Sequence, residues 1–140
     1  MSVIEPLLGD VTQLASLDEL KDRHGPPPWS ERLVANETQQ AFLIHQPPGH
    51  PCDTHYHLHD EWWVVLEGEI AWYFEGRADP VVARAGQVVY GPALRWHHLQ
   101  IRGDAPSTRI AINRLGEFHR YDRPGCGPVG SAEQWRPESS

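Results

Sequence analysis

The sequence is poor in basic residues and in cysteine. Its 12 Lys and Arg are outnumbered by 19 Asp and Glu, which gives a net charge of -7 at pH 7. Proteins that bind nucleic acids need clustered cations to release counterions from the phosphates, so we expect no nucleic-acid partner. Two cysteines, Cys52 and Cys126, are too few for a disulfide framework and lack metal-ligand spacing, so we interpret both as incidental thiols.

Long hydrophobic runs are also missing. A transmembrane helix needs about 20 apolar residues, whereas an apolar run such as residues 62–66 has only five. The acidic stretch at residues 1–10 lacks the basic region of a signal peptide. The sequence therefore predicts a cytoplasmic protein with no membrane partner.

Short extended runs separated by turn residues make up most of the chain. Ser16 and Glu19 form a capping box that predicts one short N-terminal helix, which Gly25 and the prolines after it end. Beyond it, dipeptides with turn chemistry, such as Glu67-Gly68, separate apolar runs too short for helices. We predict nine strands, at 32–36, 39–45, 54–57, 62–66, 69–74, 81–84, 87–90, 97–101 and 108–113.

This pattern predicts an all-β fold, an antiparallel sandwich or barrel with a short N-terminal helix. The length of 140 residues fits one domain with one core. We divide the chain into a helix and Pro-rich lead-in at 1–30, a β-barrel at 31–116 and a C-terminal tail at 117–140. The tail is polar and rich in Pro and Gly, and we expect it to be loosely ordered or docked on the barrel by Phe118, Tyr121 and Trp135.

Histidine is abundant and clustered. Four of the nine histidines lie within residues 50–59, and two more lie at 97 and 98. Side chains at i and i+2 of a strand share a face, so His55 and His57 can present two imidazoles to one metal ion. A short turn would then bring the carboxylate of Glu61, at the start of the next strand, to the same point. We expect His97 to add a third imidazole from across the barrel lumen.

Two segments resemble the two motifs of the cupin superfamily, in the spacing of its small single-domain members. The first runs from Gly49 through the two histidines and the glutamate to Gly68, and the second runs from Gly86 through Pro92 to His97. The second departs from the family pattern, because Leu94 replaces a common Gly and Ile101 replaces a frequent Asn. The resemblance covers residues 49 to about 113.

The resemblance implies a jelly roll (double-stranded β-helix) that forms a homodimer. It also implies that the metal ligands are His55, His57, Glu61 and His97. Three imidazoles and a carboxylate suit Fe(II), Mn(II), Co(II), Ni(II) or Zn(II), of which we favour Fe(II). An octahedral ion would keep two positions open, as in a catalytic site.

The sequence leaves three functions open, each with a small-molecule partner. The first is an enzyme that acts on a compact polar organic substrate, with non-haem Fe(II) dioxygenase as the leading reaction. The second is an oxygen-independent isomerase, lyase or decarboxylase, since the fold does not select among these chemistries. The third is a non-catalytic module that binds a metal or a small ligand, favoured by the lack of an obvious general base outside the ligand set.

Five further residues are candidates for substrate contacts, with packing or surface roles as the alternative. Trp63 shares the inward parity of Glu61, and His59 is a substitute ligand or an outer partner of the metal site. The polar candidates are Tyr90, Arg95 and Arg109. His98 is interpreted as packing or surface, and no role is assigned to His24, His45, His50 or His119.

Overall fold

The structure, a computed structural model, describes residues 14–137. Its helix α1, Leu17–His24, begins as predicted: the Ser16 hydroxyl accepts a hydrogen bond from the Glu19 N–H (3.5 Å) and Gly25 follows the last turn with φ of 79°. Leu20 packs α1 against Leu33 and Leu43. Within the described residues, the helix content is too short and too polar to cross a membrane.

All nine predicted strands are present, with ends shifted by three residues or fewer. They are β1 (Trp29–Ala35), β2 (Gln39–Gln46), β3 (Thr54–His55), β4 (Glu61–Glu67), β5 (Glu69–Phe74), β6 (Val81–Arg84), β7 (Val88–Gly91), β8 (His97–Arg102) and β9 (Ser107–Arg114).

The strands form two antiparallel sheets that enclose the core. One sheet has the order β1-β2-β9-β4-β7 and the other β3-β8-β5-β6. Large apolar side chains from both sheets meet between them, including Trp63 and Val65 from β4 and Ile70 and Trp72 from β5. The alternation of buried and exposed positions along β4 and β7 is that of a strand with one face on the core. The predicted all-β jelly roll is confirmed.

The C-terminal segment, residues 117–137, folds back along the edge of the sheet formed by β3. Its backbone forms bridges with two residues of that region, Thr54 with Gly127 and Tyr56 with Arg120. Trp135 packs against Trp96, with ring centroids 4.9 Å apart. The segment therefore lies against the motif that carries the first two predicted ligands.

Candidate metal centre

The two sheets bring the predicted ligands together from opposite sides. His55 ends β3 and pairs directly with His97, the first residue of β8, so these two imidazoles are neighbours in one sheet. We expected His97 to reach the other ligands from across the lumen, and for His55 this expectation is wrong, because the two residues lie side by side on paired strands. Glu61 is the first residue of β4 in the facing sheet and supplies the contact from across the interior.

His57 lies just beyond β3, which is two residues shorter than predicted. Its Nδ1–H donates to the Phe118 carbonyl oxygen (3.0 Å), and its Nε2 lies 3.0 Å from Glu61 Oε1. The C-terminal segment therefore fixes this ring in an orientation that the strand alone would not set.

The four side chains form one compact, buried donor set. His55, His57, Glu61 and His97 are each exposed by 6% or less, and one ligand atom from each lies within 4.8 Å of the others. Glu61 Oε1 and His57 Nε2 are buried and have no properly oriented hydrogen-bond partner among the described residues. Buried polar atoms are rarely left in this state unless an ion or water satisfies them, so the cluster suits a divalent metal.

Outer partners hold the donors in position. Asp53 Oδ1 accepts a hydrogen bond from His55 Nδ1–H (2.7 Å). The lone pair of His55 Nε2 is then available to a metal ion. Asn113 Nδ2 donates to Glu61 Oε2 (3.0 Å), and Gln40 in turn donates to the Asn113 amide oxygen (2.9 Å). Such contacts fix the ring and carboxylate orientations of metal ligands.

The electrostatics favour neutral imidazoles at two of the three positions. Burial, with the nearby His55 and His57, lowers the pKa of His97 well below its usual range. Burial also lowers the pKa of His55, although Asp53 opposes the shift. The pKa of His57, in contrast, is raised: burial alone would lower it, but the Glu61 carboxylate and the hydrogen bond to the Phe118 carbonyl favour the protonated ring and outweigh burial. Neutral imidazole is the form that binds metal, so the cluster is largely prepared for it.

A cavity of about 480 Å³ opens beside this cluster. His55, Glu61 and His97 line this central cavity, whereas His57 is not part of its lining. Trp63 lines it too and packs edge-on against His97, with ring centroids 5.0 Å apart. The donor set is therefore open to a small molecule on one side.

Comparison with known proteins identifies the family of this chain. The sequence profile described as the cupin domain matches residues 42–113, just over half of the chain. The chain belongs to the cupin family. No curated protein matches the sequence of this cupin.

Solved structures share the fold at low identity. A double-stranded β-helix protein from Klebsiella pneumoniae is 18% identical, with a TM-score of 0.63, and the match covers 79% of this cupin and 99% of that chain. The DMSP lyase of Ruegeria pomeroyi is 21% identical (TM-score 0.55; 63% and 47% covered). The oxalate decarboxylase of Bacillus subtilis, a protein with Mn(II) centres, is 24% identical (TM-score 0.53; 59% and 24% covered).

The five candidate substrate contacts separate into two groups. Trp63 and Arg109 line the central cavity, whereas His59, Tyr90 and Arg95 lie outside its lining. Strand alternation explains Tyr90: the residues on either side of it in β7 face the core, so its ring points outward and is 58% exposed. His59 is exposed in the turn before β4, where its Nδ1 lies 3.4 Å from Glu117 Oε1, and Arg95 is exposed before β8.

The structure adds residues to the site that the sequence did not predict there. Asp53 Oδ2 accepts hydrogen bonds from His119 Nδ1–H and from the Tyr121 hydroxyl, both at 2.6 Å. The His119 ring stacks on His55, with centroids 3.5 Å apart, and lines the cavity. Asp53 could have been found, because it precedes His55 by two residues and so shares its face. No sequence pattern links His119, on the C-terminal segment, to the motif.

Leu94 keeps the backbone shape of the glycine it replaces. Its φ is 71°, the left-handed region that a side chain other than Gly adopts at a cost of about 1–2 kcal/mol. Its N–H donates to the His57 carbonyl oxygen (2.8 Å), which ties the turn before His97 to the first motif. The departure from the family pattern therefore leaves the position of His97 intact.

Cys52, in the cavity wall, is expected to react slowly with alkylating reagents. Burial raises the pKa of its thiol to about 11, so at pH 8 the thiolate is on the order of a hundredfold scarcer than for a free cysteine. Iodoacetamide labelling followed by mass spectrometry checks this, with urea-unfolded protein as the fast-reacting control. Equal labelling rates in the two states would contradict it.

Proposed function

We propose that this cupin is a metal-dependent enzyme that acts on a compact polar organic molecule. One observation carries the proposal: four buried donors lie within 4.8 Å of one another, and three of them face a cavity large enough for a small substrate. We favour Fe(II) as the ion because it serves the leading reaction, and Mn(II), Zn(II), Ni(II) and Co(II) suit the same donors.

The leading reaction is oxidative cleavage by a non-haem Fe(II) dioxygenase. A bound metal would supply Lewis acidity and open coordination positions for substrate and dioxygen. The protein's own part is positioning: Asp53 and Asn113 orient two of the ligands, and the Trp63 ring packs against His97 in the cavity wall. These contacts support a site whose ligands are held in position and face the cavity.

An oxygen-independent lyase, isomerase or decarboxylase is the second candidate, and His119 favours it. Its Nδ1–H is held by Asp53, which leaves Nε2 to accept or deliver a proton in the cavity. His119 is therefore a candidate general base outside the ligand set, and the lack of such a group was the reason to consider a non-catalytic module. Two of the similar structures are a lyase and a decarboxylase, the DMSP lyase and the oxalate decarboxylase, which is consistent with an oxygen-independent reaction of this kind.

Elemental analysis of protein purified without chelator, followed by substrate screens under air and under nitrogen, tests the proposal. We expect one transition-metal ion per chain and turnover that stops without oxygen. Turnover that persists under nitrogen would replace the dioxygenase with the second candidate. Protein that retains metal but turns over no compound in either atmosphere would favour a binding module.

A further inference from the structure

Arg109 is a buried cation that makes no direct ion pair with the part of the chain that the structure describes. It lies on β9, is only 7% exposed and lines the central cavity. Its Nη1 donates to the Gln46 side-chain oxygen (2.6 Å), while its Nε is buried without a hydrogen-bond partner in residues 14–137. Within the same residues, no carboxylate forms an ion pair with it, and the Glu61 carboxylate acts on it only from a longer distance.

The acidic groups of the cavity are already engaged. Asp53 accepts hydrogen bonds from His55, His119 and Tyr121, and Glu61 belongs to the donor cluster and is held by Asn113. Among the described lining residues, Arg109 is the only Arg or Lys.

A guanidinium in this position is costly unless an anion joins it. Burial lowers the pKa of Arg109, but an arginine stays protonated at any physiological pH. A buried charge that lacks a counterion destabilises the fold, whereas a carboxylate that pairs with the guanidinium through two parallel hydrogen bonds offsets that cost.

We propose that Arg109 is the anion-binding residue of the central cavity and that the substrate is a carboxylic acid. The inference rests on the proposed function in one respect: the reacting end of the substrate, away from Arg109, faces the donor cluster. A carboxylate fits better than a phosphate, because there is a single cationic side chain and the walls around it include Ile44, Leu99 and Ala111. The acid would therefore lie between Arg109 and the metal centre.

Binding of acetate, succinate and glutarate, compared with the corresponding neutral amides, tests this on zinc-loaded and metal-free protein. Calorimetry or tryptophan fluorescence reports binding. We expect the amides to bind about 10- to 100-fold more weakly than the acids, the range for loss of a charged hydrogen-bonded pair. Arg109→Met should weaken acid binding by a similar factor, while Arg114→Met, an exposed arginine on the same strand, should leave it unchanged.

Arg109→Lys provides a second measurement if the methionine variant does not fold. Lysine keeps the charge but loses the planar fork, so acid binding should weaken by about tenfold. Equal affinity for acids and amides, or acid affinity unchanged in both Arg109 variants, would overturn the inference. If the wild type holds no metal but binds acids in an Arg109-dependent way, the inference stands and the metal-dependent function fails.

Discussion

His97→Ala is expected to abolish stoichiometric metal binding. His97 supplies one of the four donors and is only 3% exposed, so alanine at this position leaves three protein ligands, and no other histidine or carboxylate of the described donor cluster replaces it. Loss of an outer partner alone typically weakens metal affinity by 10- to 100-fold, so loss of a direct ligand should exceed about 100-fold. Metal content after purification without chelator measures the effect.

His59→Ala is the matched control for that variant. His59 lies in the same histidine-rich motif but is exposed and outside the donor cluster, so its metal content should equal that of the wild type. Added Zn(II) should raise the melting temperature of the wild type and of His59→Ala, because a ligand that binds only the folded state stabilises it. An equal rise in His97→Ala would show that residue 97 is not a ligand.

Local patterns account for the parts of this protein that the sequence predicted well. Most strands contain a short apolar run between turn residues, and β5 and β6 match the predicted bounds. Strand parity and one short turn predicted His55, His57 and Glu61 as donors, and the start of a later strand predicted His97, which the resemblance to the two cupin motifs supported. These are short-range rules, since each depends on residues close together in sequence.

Long-range placement accounts for what the sequence did not predict. Strand order decides that His97 sits beside His55 and that Glu61 faces them, and no spacing within either motif contains that order. His119 and Tyr121 reach Asp53 only because the C-terminal segment folds back along β3. A polar stretch rich in Pro and Gly gives no periodic signal for such docking.

Gly68→Ala is expected to destabilise the fold by about 3 kcal/mol. Gly68 joins β4 to β5 with φ of 81°, as its place in the Glu67-Gly68 turn predicted, and an added Cβ would come within 2.8 Å of Ser107 Cα and 2.9 Å of the Pro106 carbonyl oxygen. The left-handed backbone costs a side chain about 1–2 kcal/mol. The clash is with backbone that cannot rotate away, and overpacking of this kind adds about 1–3 kcal/mol.

Gly86→Ala separates the two contributions to that loss. Gly86 has φ of 88°, but an added Cβ would meet no atom within 4 Å, so only the backbone cost of about 1–2 kcal/mol applies. Urea unfolding of both variants gives the two free energies of unfolding. Similar losses in the two variants would mean that β9 moves freely away from the β4–β5 turn. A larger loss in Gly68→Ala would mean that this turn packs rigidly on β9, the strand that carries Arg109 in the cavity lining and Asn113 on Glu61.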